Sequence, residues 1–199
     1  FRKRSGENGN NQALLGGYIM TVQDIKNYAL KKTGFNQIPD AYLIDYVNEI
    51  MDSLVVDADS AGRKETIIID ATQGEWTDLP FDFVAVKRCI RTENNQVCDE
   101  FLIENSQIQF RISGEYRVEY ITMQDHVSSL EDTPPINIIF HETLALGAAY
   151  KEAARIFMYD NNNIKAQLFS EYMEERKKAI RKATNTKRSR RRIKYADFF

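Results

Sequence analysis

The sequence predicts an α+β protein, in which an antiparallel helical bundle of two N-terminal and two C-terminal helices carries an inserted small antiparallel β-sheet and an extended basic C-terminal tail. Three observations predict this arrangement. Apolar residues recur at spacings of three and four towards both ends of the chain, alternate with polar residues in the middle, and give way to basic residues at the end. We place the helical pairs at residues 20–62 and 134–183, the β insertion at 63–123 and the tail at 184–199.

Length and composition are those of one domain with an insertion. A chain of 199 residues with 43% hydrophobic composition can bury a core of its own. No apolar run approaches the roughly 20 residues that a membrane-spanning helix needs, so we expect no membrane partner.

Residues 1–19 differ from the rest of the chain, because they are polar, rich in Asn and Gly, and lack apolar periodicity. We expect them to be a flexible arm or a non-native leader. Back-translation of residues 15–20 allows a purine-rich ribosome-binding sequence just ahead of an ATG, which favours Met20 as the natural start.

The N-terminal pair begins with a recognisable helix start. Thr21, followed three residues later by Asp24, predicts a capping box, and Gly34 predicts the end of this first helix. Pro39 and Asp40 begin the second helix. Its apolar face consists of Leu43, Ile44, Val47, Ile50, Met51, Leu54 and Val55.

The apolar period then changes to two, the spacing of a half-buried strand. We predict four to six strands, including residues 66–69, 84–91, 101–103, 107–112 and 116–121. The last two runs both alternate clearly, and a Ser-Gly pair lies between them. We therefore predict that residues 107–112 and 116–121 pair with each other as a β-hairpin.

The C-terminal pair begins after two prolines with a helix that we expect to be central. One apolar stripe runs through residues 138–157. Beside it lie small residues that let other helices approach closely, namely Ala145, Gly147, Ala148, Ala149, Ala153 and Ala154. Residues 160–163 predict a turn. The apolar pattern resumes at Ile164 and stops after Ala183.

The formal net charge of −2 hides a strong asymmetry. Residues 176–199 contain 11 of the 27 basic residues and one of the 29 acidic ones, which leaves 16 basic and 28 acidic residues in 1–175. Without apolar periodicity, residues 184–199 have no reason to fold alone. A basic tail on an acidic body favours a negative partner, either nucleic acid or an acidic protein surface, over a tail kept only for solubility.

A search for catalytic or cofactor motifs is negative: there is no glycine-rich phosphate loop, dinucleotide fingerprint or serine elbow. His141 and Glu142 begin as a zinc-protease helix would, but Ala145 stands where the second histidine must be. We interpret His141 as a surface or packing residue, and Cys89 and Cys98 as small buried thiols. We expect no enzyme activity, no cofactor and no metal.

The aromatic residues of the β insertion allow two interpretations. Exposed beside basic residues, they would stack on nucleic-acid bases as single-strand binders do. The strand segments are not basic overall, so we favour core and interface packing for Trp76, Phe81, Phe83, Tyr116 and Tyr120.

The parts follow a recognisable order. Two N-terminal helices precede a β insertion that contains Asp78-Leu79-Pro80 and a strand reading Tyr116 to Tyr120, and a Pro-Pro linker then leads to a helix reading His141 to Ala149. In this order the chain resembles the head-to-tail adaptor proteins of tailed bacteriophages, and in shape the tubular adaptor of short-tailed phages. The similarity covers Met20 to about Ala183 and depends on order and length more than on any single residue.

The resemblance implies a structural virion protein that forms a homo-oligomeric ring, usually of twelve copies, beneath the portal protein at the neck of the particle. The ring lines a channel through which double-stranded DNA passes without sequence-specific binding, and it seats the next tail or nozzle protein. Before assembly the protein is in the host cytoplasm.

In adaptors of this kind the C-terminal segment typically embraces the portal. That assigns portal binding to Lys187, Arg188, Arg190, Arg191, Arg192, Lys194, Tyr195, Phe198 and Phe199. The residues suit this role, because charge speeds encounter and buried aromatic side chains slow release. An acidic body suits a channel wall, since like charge gives phosphates no counterion-release gain.

Two other functions use the same tail. The first is DNA binding, in which the six basic residues of 187–194 neutralise phosphates and give strongly salt-dependent affinity. The second is association with RNA or the ribosome. Deletion of residues 187–199 separates the adaptor from the DNA-binding protein, because only an adaptor would lose its attachment to a portal.

Overall fold

Helices occupy both ends of the chain and antiparallel strands occupy its middle, so the fold is α+β as predicted. The computed structural model describes residues 18–58, 61–158 and 163–196, and the side chains of the last helix up to Thr184. The elements in chain order are α1 (Val22–Thr33), α2 (Asp40–Asp57), β1 (Arg63–Ala71), β2 (Trp76–Asp78), β3 (Phe83–Arg91), β4 (Gln96–Val97), β5 (Phe101–Glu104), β6 (Gln107–Phe110), β7 (Gly114–Thr122), a 3₁₀ turn (Ile138–Phe140), α3 (His141–Ile156) and α4 (Asn163–Ala196). No helix in these ranges is long and apolar enough to cross a membrane.

The ends of α1 are those that the sequence predicts. The Thr21 hydroxyl accepts a hydrogen bond from the Asp24 amide at 3.2 Å, and the Asp24 carboxylate accepts one from the Thr21 amide at 3.0 Å. Gly34 ends the helix with φ of 71° and donates its N–H to Leu30 O at 2.9 Å. Only a residue that tolerates a left-handed backbone fits this position without strain. The capping box and the glycine end are confirmed.

Helix α3 contacts the other three helices and is the centre of the helical core. Ala145, Ala148, Ala149 and Ala153 are fully buried in that core. A Cβ atom on Gly147 would lie only 2.6 Å from Ile50 Cδ1, so the absence of a side chain there lets α2 approach. The prediction that small residues on this helix allow close packing is confirmed.

The β part contains two antiparallel sheets and not the single sheet that the sequence predicts. One has the strand order β1-β7-β3-β4 and the other the order β2-β6-β5. They share a core whose buried residues are Ile69, Ala71, Leu79, Cys89, Ile108, Phe110, Tyr116 and Val118. This core is separate from the helical core, to which Ile121 at the end of β7 belongs.

The hairpin predicted for residues 107–112 and 116–121 is wrong. Strand β6 pairs with β2 and β5, whereas β7 pairs with β1 and β3 in the other sheet. Alternation shows which side chains of a strand are buried but not which strand is its partner. Here the rings of Phe110 and Tyr116 stack with centroids 4.0 Å apart, so the chain passes between the sheets where a tight turn was expected.

Gly62 forms the junction between the helical part and β1. A Cβ atom there would lie 2.8 Å from the carbonyl oxygen of Thr122 and 3.0 Å from Val55 Cγ1, and it would also meet Ile121. Only a glycine lets the backbone entering β1 approach the backbone leaving β7 so closely. Among the described glycines, Gly62 is the one at which an added Cβ atom would meet a neighbouring backbone atom.

The basic segment differs from the expectation of an extended tail beginning at residue 184. Helix α4 continues as one helix to Ala196. The residues of this stretch include Ala, Arg and Lys, which are good helix formers, and extending an existing helix requires no new nucleation. Cations near a helix C-terminus are also favoured by its dipole. The loss of apolar periodicity after Ala183 therefore does not indicate the end of the helix.

Three predictions concern residues outside the described ranges. They are the arm or leader over most of residues 1–19, the turn at 160–162, and the last aromatic residues, Phe198 and Phe199.

His141 is a packing residue, one of the two roles that the sequence allows. Its side chain is buried at the start of α3, where Nδ1 accepts a hydrogen bond from the Met20 amide at 2.9 Å. Its Nε2 lies 3.3 Å from the carbonyl oxygen of Ile136. The neutral tautomer with a proton on Nε2 satisfies both contacts, whereas a second proton on Nδ1 would face the Met20 N–H. Burial lowers the pKa of His141 below its ordinary value of 6.5.

Lowering the pH from 7 to 5 is therefore expected to destabilise the protein. A buried neutral histidine stabilises the fold fully above its unfolded pKa of 6.5, and this contribution is lost as pH falls towards the lower folded pKa. The slope of the free energy of unfolding can reach about 1.4 kcal/mol per pH unit. Urea denaturation at several pH values measures it. The His141→Gln variant should show a flatter profile between pH 5 and 6.5, and the exposed-site variant His126→Gln should not.

Two carboxylates with lowered pKa values do not produce the slope of the free energy of unfolding that the His141 test measures between pH 5 and 6.5. Hydrogen bonds from Ser128 and Ser129 lower the pKa of Asp132, and those from Lys32 and Gln167 lower the pKa of Glu171. Their contributions are lost only below the ordinary values of 3.8 and 4.5. An unchanged slope in His141→Gln would contradict the assignment.

Candidate interaction site on the C-terminal helix

Arg176 attaches α4 to the C-terminal end of α2. Its guanidinium donates to the Asp57 carboxylate at 2.5 and 3.1 Å, to the Ser53 hydroxyl at 2.9 Å and to the Ser53 carbonyl at 3.0 Å. It also donates to the Tyr172 hydroxyl at 2.6 Å, one turn earlier on its own helix. A cation in this place favours the end of α2, where the helix dipole is negative.

Other contacts fix the same half of α4. Leu168, Tyr172, Ala179 and Ala183 are buried in the helical core. On the surface, Lys32 of α1 pairs with a glutamate of α4 at 2.8 Å. The position and direction of α4 are thus set by residues up to Ala183, before the most basic part of the sequence begins.

Helix α4 includes the backbone of seven of the portal-binding candidates, namely Lys187, Arg188, Arg190, Arg191, Arg192, Lys194 and Tyr195. Their side chains are outside the described part of the structure, as are Phe198 and Phe199 altogether. A helix rises about 1.5 Å per residue, so the six basic residues of 187–194 occupy about 11 Å of its axis. An extended chain would spread them over about twice that length.

The acidic residues of α2 are mostly paired, which sequence reasoning did not anticipate. Glu49 pairs with Lys151, Asp52 lies 3.1 Å from His126, and Asp57 is held by the α4 arginine described above. Lys151 and Arg176 thus offset the charges of Glu49 and Asp57. The long sequence separation of the partners explains why the pattern along the chain did not reveal them.

Exposed acidic residues without an ion pair to another described residue lie in the helical part, for example Asp45 of α2 and Glu174 of α4, and in the β part. The β part has the larger group. Seven of its carboxylates are exposed and make no ion pair with another described residue, namely Asp70, Glu75, Asp78, Asp99, Glu100, Glu104 and Glu115. The acidic character inferred from composition is therefore shared by the β part and by the helical part up to residue 175.

Glu152 is a buried charge that sequence reasoning missed. It has no exposed surface and lies in α3 among the small residues of the helical core. Arg155 donates to both its oxygens, at 2.8 and 2.6 Å, and the Tyr46 hydroxyl donates to one of them at 3.1 Å. Burial and the adjacent carboxylate raise the pKa of Tyr46 to about 12. The signal that was available is a glutamate three residues after Ala149, on the buried stripe of the helix.

The cavities of the described residues bring few reactive groups together. One of about 240 Å³ is lined by residues that include Arg91 and Cys98, and one of about 630 Å³ by residues that include Arg63 and His126. Burial and the neighbouring Cys98 thiol raise the pKa of Cys89 to about 12, so this thiol is protonated at neutral pH. No group of three or more His, Cys, Asp or Glu residues within these ranges could hold a metal ion.

The aromatic residues of the β part divide between core and surface. Tyr116 and Tyr120 are buried, and Phe83 packs against the core of the sheets. Phe81 is fully exposed and Trp76 is 39% exposed. Core packing therefore accounts for Tyr116, Tyr120 and Phe83, whereas Phe81 and Trp76 lie on the surface.

A comparison with models of known protein families found no match, and a comparison with curated proteins found no significant match.

Proposed function

We propose that the protein is a head-to-tail adaptor of a tailed bacteriophage. Copies of the chain form a ring, a dodecamer in this proposal, that docks beneath the portal protein, lines the DNA channel and seats the next tail component. The four helices of each copy form an antiparallel bundle. The protein is assembled from the host cytoplasm into the neck of the virion, and it has no catalytic role.

The observation that carries the proposal is the division of α4 into two halves. Residues up to Ala183 are packed on the helical core and fixed by Arg176, as described above. The helix then continues for 13 residues, or about 20 Å, and this stretch contains six basic residues. An arm that is fixed in direction and extends well past the packed residues described above is suited to reaching a neighbouring ring.

The charge distribution supports the same role. Double-stranded DNA would pass the acidic residues of the body without gaining the counterion release that makes phosphates bind. The basic half of α4 has the opposite sign and needs an acidic partner, which an acidic portal surface would supply. The order of helical pair, β insertion and helical pair, on which the resemblance depends, is also the order of the elements in the chain.

The test is to delete residues 187–199 from the full chain and to measure attachment to the portal ring. Size-exclusion chromatography with light scattering would show the wild-type chain eluting with the portal and the truncated chain eluting separately. A matched control replaces Lys177 and Arg181, two exposed cations of the packed half of α4, with glutamine. This control should attach as the wild type does. Attachment of the truncated chain at wild-type affinity would sink the proposal.

DNA binding is the second candidate, and the helical backbone of residues 187–194 favours it. Six cations within about 11 Å of axis could neutralise several phosphates, and each phosphate contact contributes about −0.9 to the slope of log affinity against log salt. A salt-titrated DNA shift assay therefore distinguishes the two. A slope near −5 that disappears with residues 187–199, while attachment to the portal is unchanged, would establish DNA binding as the function.

A further inference from the structure

Strand β1 is the one long, regular edge among the described strands. It has nine residues, pairs with β7 on one side without any shift in register, and has none of the described strands on its other side. The opposite edge of the same sheet is interrupted, because β3 has two register shifts in its pairing with β7. The edge strands of the smaller sheet, β2 and β5, have only three and four residues. Short or irregular edges resist pairing with another chain, and a long regular edge does not.

The backbone groups that face outward from β1 can be identified. The Thr92 amide donates to Glu115 O at 2.9 Å and the Met123 amide donates to Asp82 O at 3.3 Å, so the odd-numbered residues of β7 face β3. The even-numbered residues of β7 then face β1, where the register opposes them to odd-numbered residues. The N–H and C=O groups of the even-numbered residues of β1 therefore point away from the sheet. They have no backbone partner among the described residues.

Those same four residues carry exposed side chains. They are Lys64, Thr66, Ile68 and Asp70, and the Ile68 side chain is 54% exposed. Neither Lys64 nor Asp70 makes an ion pair with another described residue. From one end of β1 to the other, these four exposed side chains, which we call the outer row, are thus basic, polar, apolar and acidic.

This row is complementary to itself. If a second β1 lies antiparallel with a twofold axis at Ile67, Lys64 of one strand is opposite Asp70 of the other, and Thr66 is opposite Ile68. Every outward backbone group then belongs to a hydrogen-bonded pair, and each such pair exchanges two N–H···O bonds. Opposite charges directly across two antiparallel strands stabilise the pairing, and like charges destabilise it.

We propose that β1 is a self-association edge, through which two copies of this chain join their four-stranded sheets into one eight-stranded sheet about a twofold axis at Ile67. A twofold contact of this kind closes on itself and cannot propagate around a ring. The dimer is therefore a state of the free protein, separate from the proposed portal-bound ring, and it does not depend on the proposed function.

Charge reversal of the full chain tests both the partner and the register. Lys64→Glu places two acidic residues opposite each other at each end of the pairing, and Asp70→Lys places two basic residues there. Each variant should raise the dimer dissociation constant about tenfold or more in sedimentation velocity. Equimolar mixing of the two variants should restore dimers, because every opposed pair is then oppositely charged. The reversal Lys177→Glu on α4 should leave dimerisation unchanged.

Hydrogen exchange locates the contact. The amides of Lys64, Thr66, Ile68 and Asp70 should exchange more slowly at concentrations at which the wild-type chain is dimeric than at concentrations at which it is monomeric. Three results would each overturn the proposal: a wild-type chain that is monomeric at about 100 μM, dimers or rings that both reversals leave unchanged, and a dimer in which these four amides gain no protection.

Discussion

Replacing Arg155 with methionine is expected to lower the free energy of unfolding by about 3–5 kcal/mol. The substitution removes both hydrogen bonds to the Glu152 carboxylate and leaves that fully buried charge with Tyr46 as its one donor among the described residues. A buried carboxylate without a cation loses its hydration and gains little in return. Urea denaturation followed by circular dichroism measures the change.

Removing the charge of Glu152 and keeping that of Arg155 should lower the free energy of unfolding by less. Glu152→Gln leaves Arg155, whose side chain is 42% exposed and can be hydrated where it stands. The double variant Glu152→Leu with Arg155→Met should recover most of the loss, because an apolar pair of similar volume often replaces a buried ion pair without cost. If the three variants are equally stable, the pair does not contribute in the way that its geometry indicates.

The second large effect is expected at the junction of the two parts. Gly62→Ala should lower the free energy of unfolding by about 3 kcal/mol, because the new methyl group meets the Thr122 carbonyl oxygen at 2.8 Å and backbone atoms cannot move aside without disturbing β7. Urea denaturation followed by circular dichroism measures this change as well.

Gly147→Ala is the matched control for this substitution. Its new methyl group would meet Ile50 Cδ1, the end of a flexible side chain, and the edge of the Tyr172 ring at 3.0 Å. Alanine also favours a helix interior over glycine by about 1 kcal/mol. The net effect should therefore stay within about 1 kcal/mol of zero. A cost at Gly62 no larger than the cost at Gly147 would contradict the close approach of the two backbones.

The sequence predicts a structural feature well where the contact that determines the feature is local in the chain. The cap of Thr21 and Asp24 spans three residues, and Gly34 acts on the helix that it ends, so a short window contains all the necessary information. The small residues of α3 are similar, because their size alone predicts close packing. The four helices and five of the seven described strands follow from periodicity in the same way, whereas the short strands β2 and β4 were not predicted.

Long-range choices are not visible in such windows. The alternation of residues 107–112 and 116–121 predicts two half-buried strands correctly, but it does not show that they pair with strands of different sheets. The end of periodicity at Ala183 does not reveal that the helix continues to Ala196. The partners of Glu49 and Asp57 are more than 100 residues away along the chain. The contact of Glu152 with Tyr46, which belongs to another helix, is also invisible in a short window.

The pairing of Arg63 with Thr122 has an evolutionary consequence. The two ends of the β part are neighbours across a single pair of strands, about 5 Å apart, so the chain leaves and re-enters the helical part at nearly the same point. The two parts also have separate cores. A recombination event could therefore exchange the β module for another, or shorten it to a simple loop, while the helices keep their places. Lineages that share these helices are then free to diversify the module independently.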